Sequence, residues 1–264
     1  MKDNYLKYYR KHSVLGGLHF LWDAFTASNN LRKLSFVNRQ KDYTELLNEP
    51  GLMALHLALN QHLLDGIKFW NSYDYGEGYF YQSFNKIHIR GFRNTEARVS
   101  EMQLSKVLSG KKVLEIGCNT GFLTLSVADY CISITGFDPA EHLINIAKET
   151  AQYLNVKNAL FEVNSFENFS STDLYDIVLS FANHSTFDGN TQQTLSSYFD
   201  KCLTLLKPGG LFLFESHPPE HEKDQLPMIC NFISERFEIQ LQEVLVYGSF
   251  LDQNRTFIIA KKQI

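Results

Sequence analysis

Beyond Lys111, the chain alternates short apolar runs with longer stretches in which apolar residues recur every three or four positions. Short apolar runs are typical of buried strands, and the longer period is typical of the helices that cover them. This alternation predicts an α/β fold with a doubly wound, mostly parallel, seven-stranded sheet. The predicted strands lie at 113–116, 133–137, 159–163, 176–181, 211–215, 237–246 and 255–260. The predicted helices lie near 122–128, 141–154, 192–206 and 225–234.

The connections late in the chain refine this fold. The segment Lys207-Pro208-Gly209-Gly210 predicts a turn before the fifth strand, because proline cannot continue a helix and glycine accepts a backbone reversal. Residues 247–254 separate the last two strands and permit a hairpin. We therefore predict that one strand near the C-terminus runs antiparallel to the others.

The first hundred residues have a mainly helical pattern. Apolar residues recur at helical spacing over 14–25 and again over 46–70. Residues 79–89 are rich in aromatic and β-branched side chains, which predicts a short hairpin or extended segment that approaches the sheet. The sequence therefore divides into a helical N-terminal lid over 1–100 and a sheet domain over 101–264.

Composition and charge exclude some classes of protein. The 264 residues are 44% hydrophobic and 20% charged, which excludes a disordered chain. The net charge of −4 disfavours a protein whose main partner is nucleic acid, because binding phosphates needs a dense basic face. The arm 1–41 is an exception, with eight basic and two acidic residues. This arm either faces an anionic partner or is a solvated helix face.

The cysteines and the apolar stretches bear on cellular location. Cys118, Cys131, Cys202 and Cys230 lack the paired spacing of a zinc site or a redox dithiol. A reduced, cytoplasmic protein is therefore expected. The apolar region 52–64 is too short and too polar to cross a bilayer, so no membrane association is expected. We expect a monomer or a homodimer.

A glycine-containing loop follows the first predicted strand. In an open α/β sheet, ligands bind beyond the carboxyl ends of the strands, and this loop lies at that edge. Gly117 and Gly121 allow a sharp turn and a close approach to a ligand, and the next helix offers free N–H groups at its start. A dinucleotide fingerprint would need glycine at Asn119 and Phe122, so a nicotinamide cofactor is disfavoured.

The segment Glu115-Ile116-Gly117-Cys118-Asn119-Thr120-Gly121 resembles motif I of the class I S-adenosylmethionine-dependent methyltransferases, which is acidic-x-Gly-x-Gly-x-Gly. Asn119 replaces the middle glycine, and asparagine is the non-glycine residue that best tolerates positive φ. The resemblance covers residues 111–262, because the fourth strand and the turn at 206–210 also match the family in order. It implies a Rossmann-like fold and S-adenosylmethionine as the cofactor.

The resemblance also implies which residues hold the cofactor. Asp138, after the second strand, would accept hydrogen bonds from the two ribose hydroxyls. The segment 164–166 falls where the family holds adenine, and the Asn164 amide can both donate and accept. Arg93 is a candidate partner for the carboxylate of the cofactor or of a substrate. The predicted cofactor residues are Arg93, Glu115, Gly117, Cys118, Asn119, Gly121, Phe122, Asp138, Pro139, Asn164, Ser165, Phe166, Ser180 and Phe181.

The acceptor side of the site is predicted after the fourth and fifth strands. His184 is the predicted general base for a hydroxyl or amine acceptor, because an unperturbed histidine has a pKa of about 6.5. A structural or substrate-orienting histidine would give the same pattern. The predicted substrate contacts are Tyr81, His184, Glu215 and His217.

No metal ion is predicted at this site. His217, His221 and Glu222 are residue types that hold divalent ions in proteins. The two prolines between the histidines, Pro218 and Pro219, prevent a regular helical pair of ligands at these positions. A plain surface loop explains the segment as well as an ion would.

The sequence therefore predicts an S-adenosylmethionine-dependent methyltransferase that acts on an O or N atom of a small-molecule acceptor. One alternative is a tRNA wobble-uridine carboxymethyltransferase, which the region 91–121 also resembles and whose tRNA would face the basic arm. Another alternative is a non-catalytic subunit that binds S-adenosylmethionine and uses its acceptor loop for protein contact. A closed pocket beside His184 would favour the enzyme, and exposed apolar surface on the lid would favour the subunit.

Overall fold

The computed structural model describes residues 46, 48–69, 80–91, 93–185, 193–218, 222, 225–247 and 255–263. The predictions for the basic arm 1–41 and for the helix over 14–25 lie outside these residues. None of the helices in the described ranges combines the length and the apolar character that a bilayer crossing requires.

One mixed sheet forms the centre of the described part of the chain. Its strands are β1 Lys112–Ile116, β2 Ser133–Asp138, β3 Ala159–Val163, β4 Tyr175–Phe181, β5 Leu206–Glu215, β6 Phe237–Leu245 and β7 Arg255–Lys262. Their order across the sheet is β3-β2-β1-β4-β5-β7-β6. The pairs among β1 to β5 are parallel, and β7 is antiparallel to both β5 and β6. The predicted fold class and the antiparallel strand near the C-terminus are confirmed.

Helices cover the sheet on both faces. They are α1 Pro50–Phe69, α2 Thr95–Glu101, α3 Leu104–Val107, α4 Phe122–Val127, α5 Glu141–Tyr153, α6 Leu195–Leu205 and α7 Leu226–Arg236. The four helices α4 to α7 agree with the predicted ones to within three residues at each end. Side-chain caps fix two helix starts: the Asn94 amide oxygen accepts the Ala97 N–H at 2.9 Å, and Thr194 accepts the Ser197 N–H at 3.2 Å.

The apolar core is divided by the sheet into two layers, because alternate side chains of a strand point to opposite faces. Leu114 of β1 packs with Phe214 and with the inner faces of α6 and α7. Its neighbour Val113 packs on the other face with Leu123 of α4 and with the residues after α2. Since β1, β2, β4 and β5 are buried from both sides, their carboxyl ends are held in a fixed arrangement.

The N-terminal region extends this core. Leu59 and Leu63 of α1 share one apolar cluster with residues of α5, and the segment 80–89 joins the same cluster. Phe84 stacks on Phe122 at the start of α4, with ring centroids 5.3 Å apart. The predicted hairpin over 79–89 is in part observed: Phe84 and Ile89 form an antiparallel bridge around a short 3₁₀ turn, and position 79 lies outside the described residues.

The start of β5 differs from the prediction. The segment 207–210 was expected to be a turn before the strand, but the strand already begins at Leu206. Leu206 pairs with Tyr175 and Leu211 pairs with Ile177, so five residues of β5 lie opposite two of β4. Gly209, at φ 72°, accommodates this bulge. Proline and glycine therefore mark an irregular strand here, in agreement with their usual place at bulges.

Two glycines with the same backbone conformation allow a test of the close packing in this fold. Gly121 (φ 68°) and Gly110 (φ 66°) are both left-handed. A Cβ on Gly121 would lie 2.6 Å from Ala147 Cβ and from Phe161, whereas a Cβ on Gly110 would meet nothing within 4 Å. Gly110→Ala should lower the free energy of unfolding by only about 1–2 kcal/mol, the cost of a left-handed backbone for a residue with a Cβ. Gly121→Ala should lower the free energy of unfolding by about 1–3 kcal/mol more, because its Cβ would also clash with its neighbours. Denaturant unfolding measures both changes, and equal losses of stability would contradict this packing.

Candidate active site

The carboxyl ends of four parallel strands meet at one edge of the sheet. Ile116 of β1 pairs with Phe137 of β2 on one side and with Ser180 of β4 on the other. Phe181 of β4 pairs with Glu215 of β5. The loops after these strands therefore lie side by side, and the strand ends and loops together carry most of the predicted site residues.

The loop after β1 turns through three left-handed residues. These are Gly117 at φ 64°, Asn119 at φ 53° and Gly121 at φ 68°. The Asn119 side chain supports this turn, because its amide oxygen accepts the N–H of Thr120 at 2.8 Å. The prediction that Asn119 tolerates positive φ in place of the middle glycine is confirmed.

Asp138 joins this loop to the end of β2. Its carboxylate accepts the N–H of Asn119 at 3.1 Å and the N–H of Ala140 at 2.9 Å. The Asp138 carbonyl oxygen accepts the N–H of Asn164 at 3.1 Å. Asp138 and Asn164 stay partly exposed at the edge, as do Gly117 and Pro139. This carboxylate is therefore both positioned by the backbone and accessible from outside.

The start of α4 differs from the prediction. Its N–H groups were expected to await a ligand, but the Gln82 amide oxygen accepts the N–H of Phe122 at 3.0 Å and of Leu123 at 3.3 Å. The same oxygen accepts the Thr120 hydroxyl at 3.3 Å, and the Gln82 amide nitrogen donates to the Cys118 carbonyl at 3.5 Å. A side chain from the segment before the sheet thus caps the helix and stabilises the glycine loop.

Arg93 and Glu215 also differ from the prediction, which assigned them to cofactor and substrate. Arg93 forms a two-pronged pair with Glu215, at 3.0 and 2.8 Å, and the side chains are 1% and 0% exposed. Arg98 donates to the same carboxylate at 2.7 Å, and so does the Tyr247 hydroxyl. In this arrangement the Glu215 carboxylate binds protein groups in the interior. Its pairing with Arg93 is strong, because a planar guanidinium matches a carboxylate with two parallel hydrogen bonds.

The charge of Glu215 is set by its arginines. Burial alone would raise the pKa of the Glu215 carboxyl, but Arg93, Arg98 and Arg255 hold this pKa well below its usual range. Burial also raises the pKa of the Tyr247 hydroxyl, and the Glu215 charge adds to this effect. Glu215 is therefore ionised at neutral pH and Tyr247 keeps its proton.

The loop after β4 brings His184 to the same edge. Ala182 takes a left-handed φ of 59°, and its N–H donates to the Glu215 carbonyl at 2.8 Å. This turn places Asn183 against the glycine loop, where its amide nitrogen donates to the Ile116 carbonyl. The His184 ring is buried, with the ring centroid of Phe214 at 5.0 Å.

Two further polar side chains face His184. Its Nε2 atom makes an ion-pair contact with Oε1 of Glu222, and its ring centroid lies 5.1 Å from that of His217. Burial lowers the pKa of His217 to about 4, and the nearby His184 contributes to this effect. Burial would raise the pKa of Glu222, but its contact with His184 holds this pKa below the usual value. The expected companion His221 lies outside the described residues.

Several predicted cofactor residues are buried instead of facing the edge. Glu115 bonds to the Thr124 hydroxyl, and burial raises the pKa of its carboxyl to about 7. The Ser180 hydroxyl pairs with the Tyr198 hydroxyl at 2.7 Å within the core. The other buried members of the predicted set are Arg93, Cys118, Asn119, Gly121, Phe122, Phe166 and Phe181. Ser165 and Tyr81, by contrast, are partly exposed.

Comparison with known proteins identifies the family. Residues 108–249 match the family model described as "Methyltransferase domain", which is more than half of the chain. The chain belongs to the class I S-adenosylmethionine-dependent methyltransferases. The resemblance predicted from Glu115–Gly121 and Asp138 is thereby confirmed at the level of this family, whereas the subfamily is not resolved.

Individual relatives of this methyltransferase are distant. It is 36% identical over 109 residues to the malonyl-[acyl-carrier protein] O-methyltransferase of Bacillus cereus, covering 40% of this chain and 37% of that protein. It is 26% identical over 157 residues to the mitochondrial ubiquinone biosynthesis O-methyltransferase of Schizosaccharomyces pombe, covering 57% of this chain and 55% of that one. The chain thus spans about half the length, or less, of the curated relatives it matches.

A solved structure supports the fold of this methyltransferase. The N-methyltransferase NodS of Bradyrhizobium japonicum WM9, in complex with S-adenosyl-L-homocysteine, superposes with a TM-score of 0.55 at 15% sequence identity. The match covers 76% of this chain and 98% of that one. At this identity the likeness concerns the arrangement of helices and strands alone.

The edge of the sheet fits the family's cofactor, S-adenosylmethionine. The Asp138 carboxylate is partly exposed and oriented by two backbone N–H groups, as a partner of ribose hydroxyls must be. The left-handed loop beside it presents backbone and not a large side chain at Gly117. Asp138, Gly117, Asn164 and Ser165 would therefore hold the cofactor, and the buried members of the predicted set would support them from behind.

Three residues of this region were not found by sequence reasoning. Gln82 lies in a segment without a local motif, and Arg98 and Tyr247 bond to a residue that we had assigned to the substrate. The sequence neighbours of Arg98 give no sign of its burial.

The Glu215 pair predicts a pH-dependent contribution to stability. Glu215→Gln leaves two buried arginines without a full counter-charge, so its free energy of unfolding should fall by about 3–5 kcal/mol at pH 7. Because the folded pKa of Glu215 is depressed, this stabilisation is fully present above the unfolded value near 4.5 and is lost as the pH falls below it. Denaturant unfolding of both proteins from pH 8 to pH 3 measures the difference.

The exposed residue Glu238 on β6 provides the matched control. Glu238→Gln should change the free energy of unfolding by no more than about 0.5 kcal/mol. A Glu215→Gln variant as stable as this control at pH 7 would show that the buried pair does not hold the edge together.

Proposed function

We propose that this chain transfers the methyl group of S-adenosylmethionine to an oxygen or nitrogen atom of a small-molecule acceptor. The observation that carries this proposal is the position of two different groups at one edge of the sheet. The partly exposed Asp138 lies beside the left-handed loop after β1, and the polar groups His184 and His217 follow the adjacent strands β4 and β5. A cofactor held by Asp138 and this loop would have its reactive end near the two histidines.

The chemistry requires little from the protein beyond position and proton removal. S-adenosylmethionine supplies an electrophilic methyl group on a sulfonium, which reacts with an acceptor lone pair without further activation of the donor. The chain's residues bind the adenosine end through Asp138, exclude water and align the acceptor with the methyl carbon. The apolar rings of Phe214 and Tyr198 beside His184 support water exclusion, because they line one side of that residue.

His184 is the residue that we assign to acceptor activation. A hydroxyl or ammonium acceptor must lose a proton, and an imidazole within hydrogen-bond reach can receive it. The contact with Glu222 supports this role, because a carboxylate orients an imidazole and stabilises its protonated form. An imidazole can also activate an acceptor by holding a metal ion.

The described N-terminal segments form the back of the site in this proposal. Gln82 caps α4, and Arg93 and Arg98 bind the end of β5, so the segment 80–98 contacts both halves of the edge. This supports a role for residues 1–100 in shaping the acceptor pocket over the domain 101–264. The relatives include both O- and N-methyltransferases, so the proposal covers oxygen and nitrogen acceptors alike.

The two alternative functions receive no specific support. The basic arm that would face tRNA lies outside the described residues. The non-catalytic subunit would need an acceptor loop used for protein contact, whereas His184 is buried and paired with Glu222. A small-molecule acceptor therefore remains the proposed partner.

The function is tested by incubating the full chain with radiolabelled S-adenosylmethionine and a panel of small hydroxyl and amine acceptors. Label should pass to at least one acceptor class, with S-adenosylhomocysteine as the second product. Asp138→Ala should weaken cofactor binding by about 1–3 kcal/mol, because two ribose hydroxyls lose their acceptor. The measurement is the cofactor concentration that gives half-maximal transfer.

The exposed Asp129, paired with Lys86 on the surface, provides the matched control. Asp129→Ala should leave this concentration unchanged. If Asp138→Ala behaves like Asp129→Ala, the ribose assignment fails. If the wild-type chain binds the cofactor but labels no acceptor of any class, the non-catalytic subunit becomes the better account.

A further inference from the structure

Three side chains with metal-binding atoms converge beyond β4 and β5. His184, His217 and Glu222 each offer one ligand atom, and these atoms all lie within 4.8 Å of one another. We propose that this cluster, the His184/His217/Glu222 cluster, binds a divalent transition-metal ion such as Zn²⁺. The role of this ion in catalysis rests on the proposed function, whereas its binding by the cluster does not. It also differs from our sequence-based expectation that the site holds no metal.

The fold fixes the positions of the two histidines. Because β4 and β5 are neighbouring parallel strands, the loops after them leave the sheet side by side. The Ala182 N–H bond to the Glu215 carbonyl ties these loops together, and the Ser216 N–H donates to the Thr256 carbonyl at 2.9 Å. His184 and His217 each lie one or two residues beyond such an anchor. Their spacing is therefore set by backbone hydrogen bonds and not by flexible side chains.

The surroundings of the cluster favour an ion. His184 and Glu222 are buried, and neither oxygen of Glu222 accepts a well-aligned hydrogen bond from the described residues. Oε1 of Glu222 lies in ion-pair contact with Nε2 of His184. A buried carboxylate normally has several hydrogen-bond donors, so a second, positively charged partner is expected at this place. A cation between the three ligand atoms would provide it.

The donor set selects the type of ion. Two imidazoles and one carboxylate suit zinc and other first-row transition metals, whereas Mg²⁺ and Ca²⁺ prefer oxygen ligands. Three protein ligands are also typical of a catalytic zinc site, because a fourth position stays open for water or substrate. The sequence-based candidate set contained His221 in place of His184, and the structure brings His184 into the cluster through the turn at Ala182.

The location gives the ion a function in methyl transfer. Asn183, the neighbour of His184, bonds to the Ile116 carbonyl at the start of the glycine loop, so the cluster lies next to the proposed cofactor site. A metal ion there would bind an acceptor oxygen and lower the pKa of its hydroxyl, so that the proton could leave to water. The oxygen–carbon bond would then form as the carbon–sulfur bond of the cofactor breaks, which releases S-adenosylhomocysteine. In this route His184 would serve as a ligand and not as the proton acceptor. The acceptor class that fits is a small molecule with a metal-binding hydroxyl.

Metal titration of the full chain tests the site without cofactor or acceptor. The protein is stripped with a chelator and titrated with Zn²⁺ in competition with a chromophoric chelator, and Mg²⁺ is titrated in parallel. We expect one equivalent of tightly bound Zn²⁺ and no comparable binding of Mg²⁺. His217→Ala and the near-isosteric Glu222→Gln should each weaken Zn²⁺ binding by more than about 100-fold, beyond the 10–100-fold typical of residues outside the ligand shell.

The partly buried pair of His62 on α1 and Glu149 on α5, 2.8 Å apart, provides the matched control. His62→Ala should keep the full equivalent of tight Zn²⁺. Thermal unfolding of each apo variant shows whether it is folded, and Glu222→Gln keeps the test valid if His217→Ala does not fold. Absence of stoichiometric Zn²⁺ binding, or equal binding by wild type and both cluster variants, would overturn the metal site and leave a His184–Glu222 acid–base pair.

Titration of S-adenosylmethionine into the same metal-free protein separates the two proposals. Cofactor binding without Zn²⁺ binding would reject the metal site alone. Zn²⁺ binding without cofactor binding would reject the proposed methyl transfer and leave the metal site in place.

Discussion

The buried Glu215 carboxylate is the interaction on which the edge of the sheet depends. It ends β5, binds Arg93 and Arg98 from the segment before the sheet, and accepts the Tyr247 hydroxyl from beyond β6. Its own carbonyl accepts the Ala182 N–H, which sets the turn after β4. A charge this deeply buried is tolerated only while its arginine partners are present, so the three regions must assemble together.

The segment before the sheet organises both halves of the site. Through Gln82 it caps α4 and supports the glycine loop, and through Arg93 it fixes the end of β5. The proposed cofactor half and the proposed acceptor half therefore share one support, although they belong to different strands. This arrangement explains why so many polar residues of 80–98 are buried, since their polar groups bond to other groups inside the protein.

The fold could be predicted from the sequence because its signals are local. The apolar runs of β1 to β5 and the helical periods between them depend on near neighbours, and the left-handed Asn119 follows from a property of asparagine itself. The bulge at 206–210 was missed because proline and glycine mark turns and irregular strands alike.

The site was harder to predict because its partners are distant in the chain. Arg93 and Glu215 are separated by 122 residues, and Gln82 reaches Phe122 over 40. A buried arginine–carboxylate pair and a ligand-binding arginine use the same residue types, and only burial distinguishes them. His184 was predicted as a site residue from its position after β4, whereas its contact with Glu222 depends on how the loops fold back.

The central claim is that the edge formed by Asp138 and the left-handed loop after β1 binds S-adenosylmethionine. Calorimetric titration of the purified chain with S-adenosylmethionine, S-adenosylhomocysteine and NAD, run in parallel, tests it most directly. The account predicts saturable binding of the two sulfur compounds and none of NAD, because Asn119 and Phe122 occupy the positions where a dinucleotide loop needs glycine. Binding of NAD, or no binding of either sulfur compound, would contradict it.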